Sequence, residues 1–272
     1  MTPTVHSTPV PSPGAPLADR GLSDDGFLGS RLHILQPLKG YRAGIDAVLL
    51  AASIPARGGD HVLEAGAGVG VASLCLASRV VDLEVSGLEL QAELVPIARE
   101  NAQRNGLTSR VSFMEGDIGS PVRDLMASGL EPQSFDHVFA NPPYYDPAAH
   151  SPSPDAGKSQ SHLTLGSDLE DWLRFACTMV RPKGTVSFIH RADALATLLS
   201  GLQGRVGSIE IFPLWPAAGK PASRVILRGI RGSNAPLVMR AGLVLHGANG
   251  HFSEGAENVL RHGAALRFDQ PS

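Results

Sequence analysis

Four short apolar segments of this chain end in a polar residue, and they alternate with segments of helical composition. The four segments are residues 61–64, 83–88, 111–114 and 135–140. The polar residues at or just after their ends are Glu64, Glu89, Asp117 and Asn141. Strands that alternate with helices predict a parallel sheet covered on both faces, and ligands bind such sheets beyond the carboxyl ends of the strands. The pattern therefore predicts an α/β fold with a ligand site at that edge.

The rest of the chain extends this pattern. Three more strands are predicted at residues 185–190, 209–214 and 225–230, and helices at 71–79, 93–105, 167–180 and 193–202. Residues 41–53 are predicted to form a loop and a short apolar helix, and Ser167 with Glu170 is predicted to form a capping box. Because no helix separates the last two strands, they are expected to pair antiparallel. The prediction is a Rossmann-like, doubly wound, seven-stranded and mostly parallel sheet that ends in an antiparallel hairpin, with helices on both faces.

A glycine cluster follows the first of the four strands. Gly66, Gly68 and Gly70 occupy alternate positions, and glycine permits both the positive φ angles of a tight turn and close approach of a ligand. The dinucleotide fingerprint G-x-G-x-x-G does not fit, because Val71 stands where its third glycine belongs. Glu64, two residues before the cluster, suits a ligand with an ammonium group. S-adenosylmethionine has such a group, whereas a pyrophosphate does not.

The next two strand ends suit the nucleoside half of the same ligand. A carboxylate at Glu89 can accept hydrogen bonds from both hydroxyls of a ribose, as the acidic residue of dinucleotide folds does. Asp117 can accept from the exocyclic amine of adenine while Ile118 covers the ring. An exposed strand-end charge and an ordinary turn aspartate are the alternatives at these two positions.

The fourth strand runs into Asn141-Pro142-Pro143-Tyr144. The prolines lack an N–H and bias the residues before them toward extended geometry, so this segment cannot coil into a helix. The Asn141 side-chain carbonyl and the Pro142 backbone carbonyl can accept the two N–H groups of a planar amine, and Tyr144 offers a ring on which a flat substrate stacks. Methyl transfer to a planar nitrogen needs this arrangement. A plain proline-rich turn is the alternative.

Composition sets the broad class of the protein. A chain of 272 residues can bury a large core, and no apolar run approaches the ~20 residues of a membrane span. Residues 1–22 are expected to be a flexible tail without signal-peptide features and residues 23–272 a single domain, with a mobile loop at 145–162 and an extension at 233–272. Cys75 and Cys177 are expected to be free buried thiols, and together these features indicate the cytoplasm.

Charge is unevenly distributed along the chain. The net charge is −3, but residues 220–272 hold seven basic and three acidic residues. The arginines of this segment either contact phosphates or are ordinary surface charge, and the sequence favours neither reading. Those arginines are Arg224, Arg228, Arg231, Arg240, Arg261 and Arg267.

The chain resembles the class I S-adenosylmethionine-dependent methyltransferases and, more narrowly, the bacterial valine-tRNA (adenine-N6)-methyltransferase family. The resemblance covers about residues 24–268 and is carried by GYRAGIDAVLLAA (40–52), LEAGAGVG (63–70), FANPPYYD (139–146) and KPASRVILRGIRG (220–232). It implies S-adenosylmethionine as cofactor and tRNA as partner. It also implies a catalytic set and a donor-binding set of residues. The catalytic set is Asn141, Pro142, Pro143 and Tyr144; the donor set is Tyr41, Arg42, Asp46, Glu64, Gly66, Gly68, Gly70, Glu89, Leu90, Asp117, Ile118 and Asn141.

The leading hypothesis is methylation of adenine N6 in tRNA near the anticodon. Methylation of a protein glutamine is the nearest alternative, since a carboxamide presents the same planar N–H₂ group. Guanine-N2 or DNA-adenine methylation and a binding module without catalysis also remain open, as does the oligomeric state. His137, His190 and His246 are not spaced as metal ligands, so no metal is expected, and Trp172 and Trp215 are expected to be core residues.

Overall fold

The computed structural model describes residue 17 and residues 19–40, 42–144 and 168–269. Seven strands form the main part of its sheet: β3 (His61–Ala65), β4 (Glu84–Glu89), β5 (Val111–Glu115), β6 (Phe135–Ala140), β7 (Val180–Arg191), β8 (Val206–Ala217) and β9 (Arg224–Arg231). The central five strands are parallel and lie in the order β7–β6–β3–β4–β5. Strand β9 pairs antiparallel with β7 on one side and with β8 on the other. The predicted seven strands and their antiparallel finish are confirmed.

Helices cover both faces of this sheet. They are α1 (Ile45–Ser53), α2 (Val71–Arg79), α3 (Leu94–Arg104), α4 (Val122–Ala127), α5 (Leu169–Met179) and α6 (Leu195–Leu202), followed near the C-terminus by α7 (Glu254–Leu260). One hydrophobic cluster holds residues of α1, α2 and α3, and a second holds residues of α4, α5 and α6. The two clusters lie on opposite faces, as a doubly wound sheet requires. Cys75 and Cys177 are both buried and unbridged, as expected.

Two strands that the sequence did not reveal precede the sheet. Strands β1 (Leu22–Phe27) and β2 (Leu32–Pro37) form an antiparallel hairpin. The hairpin is fastened to α3 by the Asn101 side chain, whose Oδ1 accepts the Leu35 amide at 2.7 Å and whose Nδ2 donates to the Leu35 carbonyl at 3.0 Å. An asparagine amide thus replaces a neighbouring strand at this edge. The structured part of the chain therefore begins at or before Leu22, within the segment predicted as a tail.

Residues 233–269 add two strands and a helix to the far side of the sheet. Strands β10 (Val238–Met239) and β11 (Leu243–His246) both pair parallel with β8. The predicted capping box lies one residue further on, where Asp168 caps α5 and reciprocates with Asp171. Several predictions fall outside the described residues: the mobile loop at 145–162, the Ser167 cap and residues 1–16 of the tail.

Candidate active site

The order of the strands places the four polar residues side by side. Because β6, β3, β4 and β5 are neighbours in the sheet, their carboxyl ends follow one another at about 4.8 Å per strand. Asn141, the glycine cluster, Glu89 and Asp117 consequently form one row along a single edge. This row lies at the edge of the sheet where the alternation of strands and helices predicts a ligand site.

The glycine cluster turns the chain from β3 into α2. Gly66, Gly68 and Gly70 all have positive φ angles, of 68°, 57° and 89°. A Cβ at Gly70 would lie 2.4 Å from the Phe113 ring, whereas a Cβ at Gly68 would meet no atom within 4 Å. Gly70 therefore serves packing, while Gly68 leaves its side of the loop open to a ligand.

Glu89 supports the same loop from the neighbouring strand. One carboxylate oxygen accepts the Gly68 amide at 2.7 Å, and the other accepts the Gln91 amide at 2.9 Å. Each oxygen keeps a second lone pair, so two ribose hydroxyls can still donate to this carboxylate. Asp117 is held at its strand end by the Gly119 amide, which donates to its Oδ1 at 2.7 Å.

Glu64 is the buried carboxyl group of the site. Its Oε2 accepts the Ser73 amide at 2.9 Å and the Ser73 hydroxyl at 2.5 Å. Burial outweighs these two bonds and raises the pKa of Glu64 to about 8. A cation placed beside this group would favour its ionised form, which fits the ammonium that the sequence assigned to it.

The row borders two adjoining cavities, of about 210 Å³ and 40 Å³. Both are lined by Gly66, Gly68 and Asn141; the larger also touches Glu89, Leu90, Asp117 and Ile118, and the smaller Glu64. An open backbone at Gly68, a buried carboxyl group and a carboxylate with free lone pairs fit the parts of S-adenosylmethionine. We call the two together the donor cavity.

Trp172 also lines the donor cavity, together with Pro143. The sequence placed it in the core, because a tryptophan in an amphipathic helix usually packs inward. Its position four residues after the Asp168 cap, beside the strand-end row, could not be read from spacing along the chain.

Two described residues of the predicted donor set, Arg42 and Asp46, do not line the donor cavity. Arg42 donates to Asp25 at 2.5 Å and to the Pro37 carbonyl at 2.9 Å, so it fastens the β1–β2 hairpin and does not line the donor cavity. Asp46 accepts a hydrogen bond from the Tyr144 hydroxyl and lines neither part of the donor cavity, and Tyr41 lies outside the described residues.

Asp46 fixes Tyr144 from helix α1. The Tyr144 hydroxyl donates to Asp46 Oδ2 at 2.6 Å, and Arg224 Nε donates to the same oxygen at 3.0 Å. The Arg224 guanidinium lies 4.7 Å from the centre of the Tyr144 ring, and burial together with the Asp46 charge raises the pKa of the Tyr144 hydroxyl. The hydroxyl is therefore a firm donor, and one face of the ring is covered by a cation.

A second cavity, of about 490 Å³, opens at Tyr144. It is lined by Tyr144, Arg191, Ala192, Asp193, Ala222, Ser223 and Arg224. Arg191 pairs with Asp193 at its rim. We call it the acceptor cavity, because the Asn141–Tyr144 segment lies between it and the donor cavity.

The three histidines have separate surroundings. His137 contacts Thr185 at 2.7 Å and Asp60 at 3.1 Å, and His246 contacts the Pro216 carbonyl at 3.0 Å. His190 packs edge-on against Tyr144, 5.0 Å between ring centres, and burial lowers its pKa. Within the described part of the chain, no group of three metal-ligating side chains is placed to hold a metal ion.

Most of the C-terminal arginines bond within the protein. Arg228 and Arg240 both pair with Glu210 at 2.5 Å, Arg231 donates to the Val180 carbonyl at 2.5 Å, and Arg261 pairs with Glu257 at 2.7 Å. Arg224 pairs with Asp46. Arg267 is exposed, and the described residues show no hydrogen bond or ion pair from its side chain. Most of the positive charge of this segment is thus used in ion pairs and hydrogen bonds within the protein.

None of the helices in the described ranges is long and apolar enough to cross a membrane.

A methyltransferase-domain family matches residues 56–201. Among curated relatives, the tRNA1(Val) (adenine(37)-N6)-methyltransferase of Aeromonas hydrophila is 28% identical over 233 residues, which are 85% of this chain and 93% of that protein. The protein of the same name from Porphyromonas gingivalis is 31% identical over 183 residues, 64% of this chain and 68% of its own length.

A solved structure shares most of this fold. A protein of Agrobacterium tumefaciens, described as a predicted O-methyltransferase, superposes with a TM-score of 0.69 at 27% identity, over 83% of this chain and all of that one. The family model covers the strand-end row itself, and the donor cavity fits the cofactor of that family. The chain therefore belongs to the methyltransferase-domain family, as a class I S-adenosylmethionine-dependent methyltransferase related to the bacterial tRNA1(Val) (adenine(37)-N6)-methyltransferases.

Proposed function

We propose that this enzyme methylates N6 of an adenine in tRNA near the anticodon. The observation that carries the proposal is the position of Asn141-Pro142-Pro143-Tyr144 between two cavities. Asn141 and Pro143 line the donor cavity, whereas Tyr144 lines the acceptor cavity. A planar amine held by this segment would face the donor on one side and rest against an aromatic ring on the other.

The residues of the segment divide the work of the reaction. S-adenosylmethionine, when bound, supplies an electrophilic methyl group. Asn141 and Pro142 accept the two N–H groups of the target amine, which favours the pyramidal geometry that frees its lone pair. No base is needed before attack, since the nitrogen becomes acidic only once it is methylated. Orientation therefore supplies most of the acceleration.

The fixed ring of Tyr144 favours a nucleobase over a glutamine side chain. Asp46 and Arg224 hold the ring in the lining of the acceptor cavity, where a flat substrate would contact it. Stacking on an aromatic side chain contributes about 1–3 kcal/mol per base, and a carboxamide gains much less from it. The names of the curated relatives support tRNA in particular. The base would leave its stack to enter the cavity.

The proposal is tested by the nucleosides of tRNA. We expect tRNA from a strain that lacks the gene to lose an N6-methyladenosine that returns when the gene is restored, measured by mass spectrometry of the digested tRNA. Purified enzyme should methylate the same tRNA. Unchanged N6-methyladenosine in the deletion strain would refute the tRNA assignment, and a mass gain of one methyl group on a release-factor glutamine would favour the protein substrate.

Asn141→Ala tests the role of the segment. Loss of a preorganised hydrogen-bond acceptor should lower turnover by about 10²–10³-fold. Affinity for S-adenosylmethionine, measured by calorimetry, should stay within about threefold, since the other residues of the donor cavity remain. Wild-type turnover in this variant would remove Asn141 from the mechanism.

A further inference from the structure

Trp172 lies against the backbone of the glycine cluster. It is the fourth residue of α5 and half-buried, and it packs on the cluster of apolar side chains beneath that helix. A Cβ at Gly66 would lie 2.4 Å from Trp172 Cη2 and 2.8 Å from Cζ3. The outer edge of the indole therefore fills the space that any side chain at position 66 would need.

The same indole forms part of the wall of the donor cavity. Asn141, Pro143, Gly66 and Gly68 line that cavity with it. Trp172 thus touches the cavity where the donor loop meets the segment that grips the target amine. Neither the donor loop nor that segment contains it, and α5 brings it in from a different part of the chain.

The strand order indicates which part of the donor lies there. Glu89 ends β4 and Asp117 follows β5, so the ribose and the adenine belong at that end of the row. Gly66 follows β3 and Asn141 follows β6, at the other end. The positive sulfur joins the nucleoside half of the donor to the methionine half, whose ammonium belongs at Glu64. It consequently lies beside Gly66 and Asn141, which line both parts of the donor cavity, and Trp172 contacts Gly66 from the larger part.

We propose that Trp172 binds the donor by placing its indole against the sulfonium group. Tryptophan has the strongest attraction for a cation among the aromatic side chains, and the attraction grows where water is excluded. Trp172 is a donor-binding residue in this role, and it favours S-adenosylmethionine over the product S-adenosylhomocysteine, whose sulfur carries no charge. The inference rests on the cofactor of the family and is independent of which acceptor the enzyme methylates.

Fluorescence gives a direct test, because the chain has only two tryptophans. Trp215 lies in β8 and donates to the Ala241 carbonyl at 3.0 Å, away from the donor cavity. Trp215→Phe therefore leaves Trp172 as the sole tryptophan of a protein with an intact site. Saturating S-adenosylmethionine should change the emission of this variant, and the converse variant, Trp172→Phe, should show no such change. If the emission of the Trp215→Phe variant does not change when S-adenosylmethionine is added, the proposal is overturned.

Affinities for the two ligands test the contact with the charge. Trp172→Ala should weaken S-adenosylmethionine about tenfold or more, and S-adenosylhomocysteine by less than about threefold, as measured by calorimetry. Trp172→Phe retains a ring and should stay within about threefold of the wild type for both ligands. Equal losses for the two ligands in Trp172→Ala, or no loss for either, would overturn the proposal.

Thermal unfolding without ligand separates binding from folding. If Trp172→Ala lowers Tm, its affinities are measured below the onset of unfolding, and the ratio between the two ligands remains the readout. Because no RNA enters these measurements, failure here leaves the tRNA proposal standing, and failure of the tRNA proposal leaves Trp172 assigned.

Discussion

At the scale of single residues, Glu64 links the site to the stability of the fold. Its pKa is raised from 4.5 to about 8 by burial, so the folded protein holds a proton there that the unfolded chain has released. The stabilising effect of that proton is fully present below about pH 4.5 and is lost as pH rises toward 8. One bound proton changes the free energy of unfolding by at most about 1.4 kcal/mol per pH unit.

Glu64→Gln should therefore flatten the fall in unfolding free energy between pH 5 and pH 8. Urea denaturation of both proteins at several pH values measures this slope, and Glu84→Gln, on the exposed start of β4, is the matched control. Glu64→Gln should also bind S-adenosylmethionine more weakly, because a neutral amide attracts an ammonium group much less than a carboxylate does. Identical slopes in Glu64→Gln and wild type would show that Glu64 is ionised in the folded protein throughout this range.

At the scale of elements, the acceptor side depends on contacts among three separate parts of the chain. Asp46 comes from α1, Tyr144 follows β6, and Arg224 opens β9. Asp46→Asn keeps the shape but removes the negative charge that holds Arg224 over the ring. For the proposed tRNA substrate we expect KM to rise about tenfold, while the Kd for S-adenosylmethionine changes little, because Asp46 does not line the donor cavity.

Initial rates at several tRNA concentrations and calorimetry with the donor distinguish these two effects. Arg240→Lys serves as the control, since Arg240 also pairs with a carboxylate but does so at Glu210, in the sheet. A donor affinity that falls as far as the tRNA affinity would place Asp46 in the donor cavity, as the resemblance first implied.

The elements that could be predicted from the sequence are those with a clear hydrophobic pattern, above all the apolar strands that are followed by a polar residue. Buried apolar runs such as Phe135–Ala140 can be recognised from the sequence. Their strand-end residues fall in one row because the strands are parallel neighbours in the sheet. Strands β1 and β2 were not predicted. The sequence of β1, LSDDGF, is largely polar, and the hairpin depends on Asn101, which lies 66 residues after Leu35. Trp172 packs on the core as expected, but its place in the wall of the donor cavity was not predicted, since its contact with Gly66 arises only from tertiary packing.

At the scale of the whole molecule, residues 233–269 belong to the main core. Leu245, Val259 and Leu266 lie in the same cluster as the buried side chains of α1 and α2. Phe268 is stacked on Phe212 at 4.5 Å, and the Arg228 guanidinium lies 4.2 Å from its ring. The segment thus closes one face of the sheet, which supports the proposal that residues 23–272 fold as a single domain.

Phe268→Ala should accordingly destabilise the entire protein. Removing a buried phenylalanine costs about 3–5 kcal/mol, because a cavity remains where the ring was. Because Phe268 packs on Phe212 of β8, we expect urea denaturation to show one transition at a lower midpoint, recorded alike by circular dichroism and by tryptophan fluorescence. Phe268→Leu, which fills much of the cavity, should recover most of the loss. Two separate transitions would instead mean that the C-terminal segment unfolds by itself, and that the sheet is stable without the cover that Phe268 anchors.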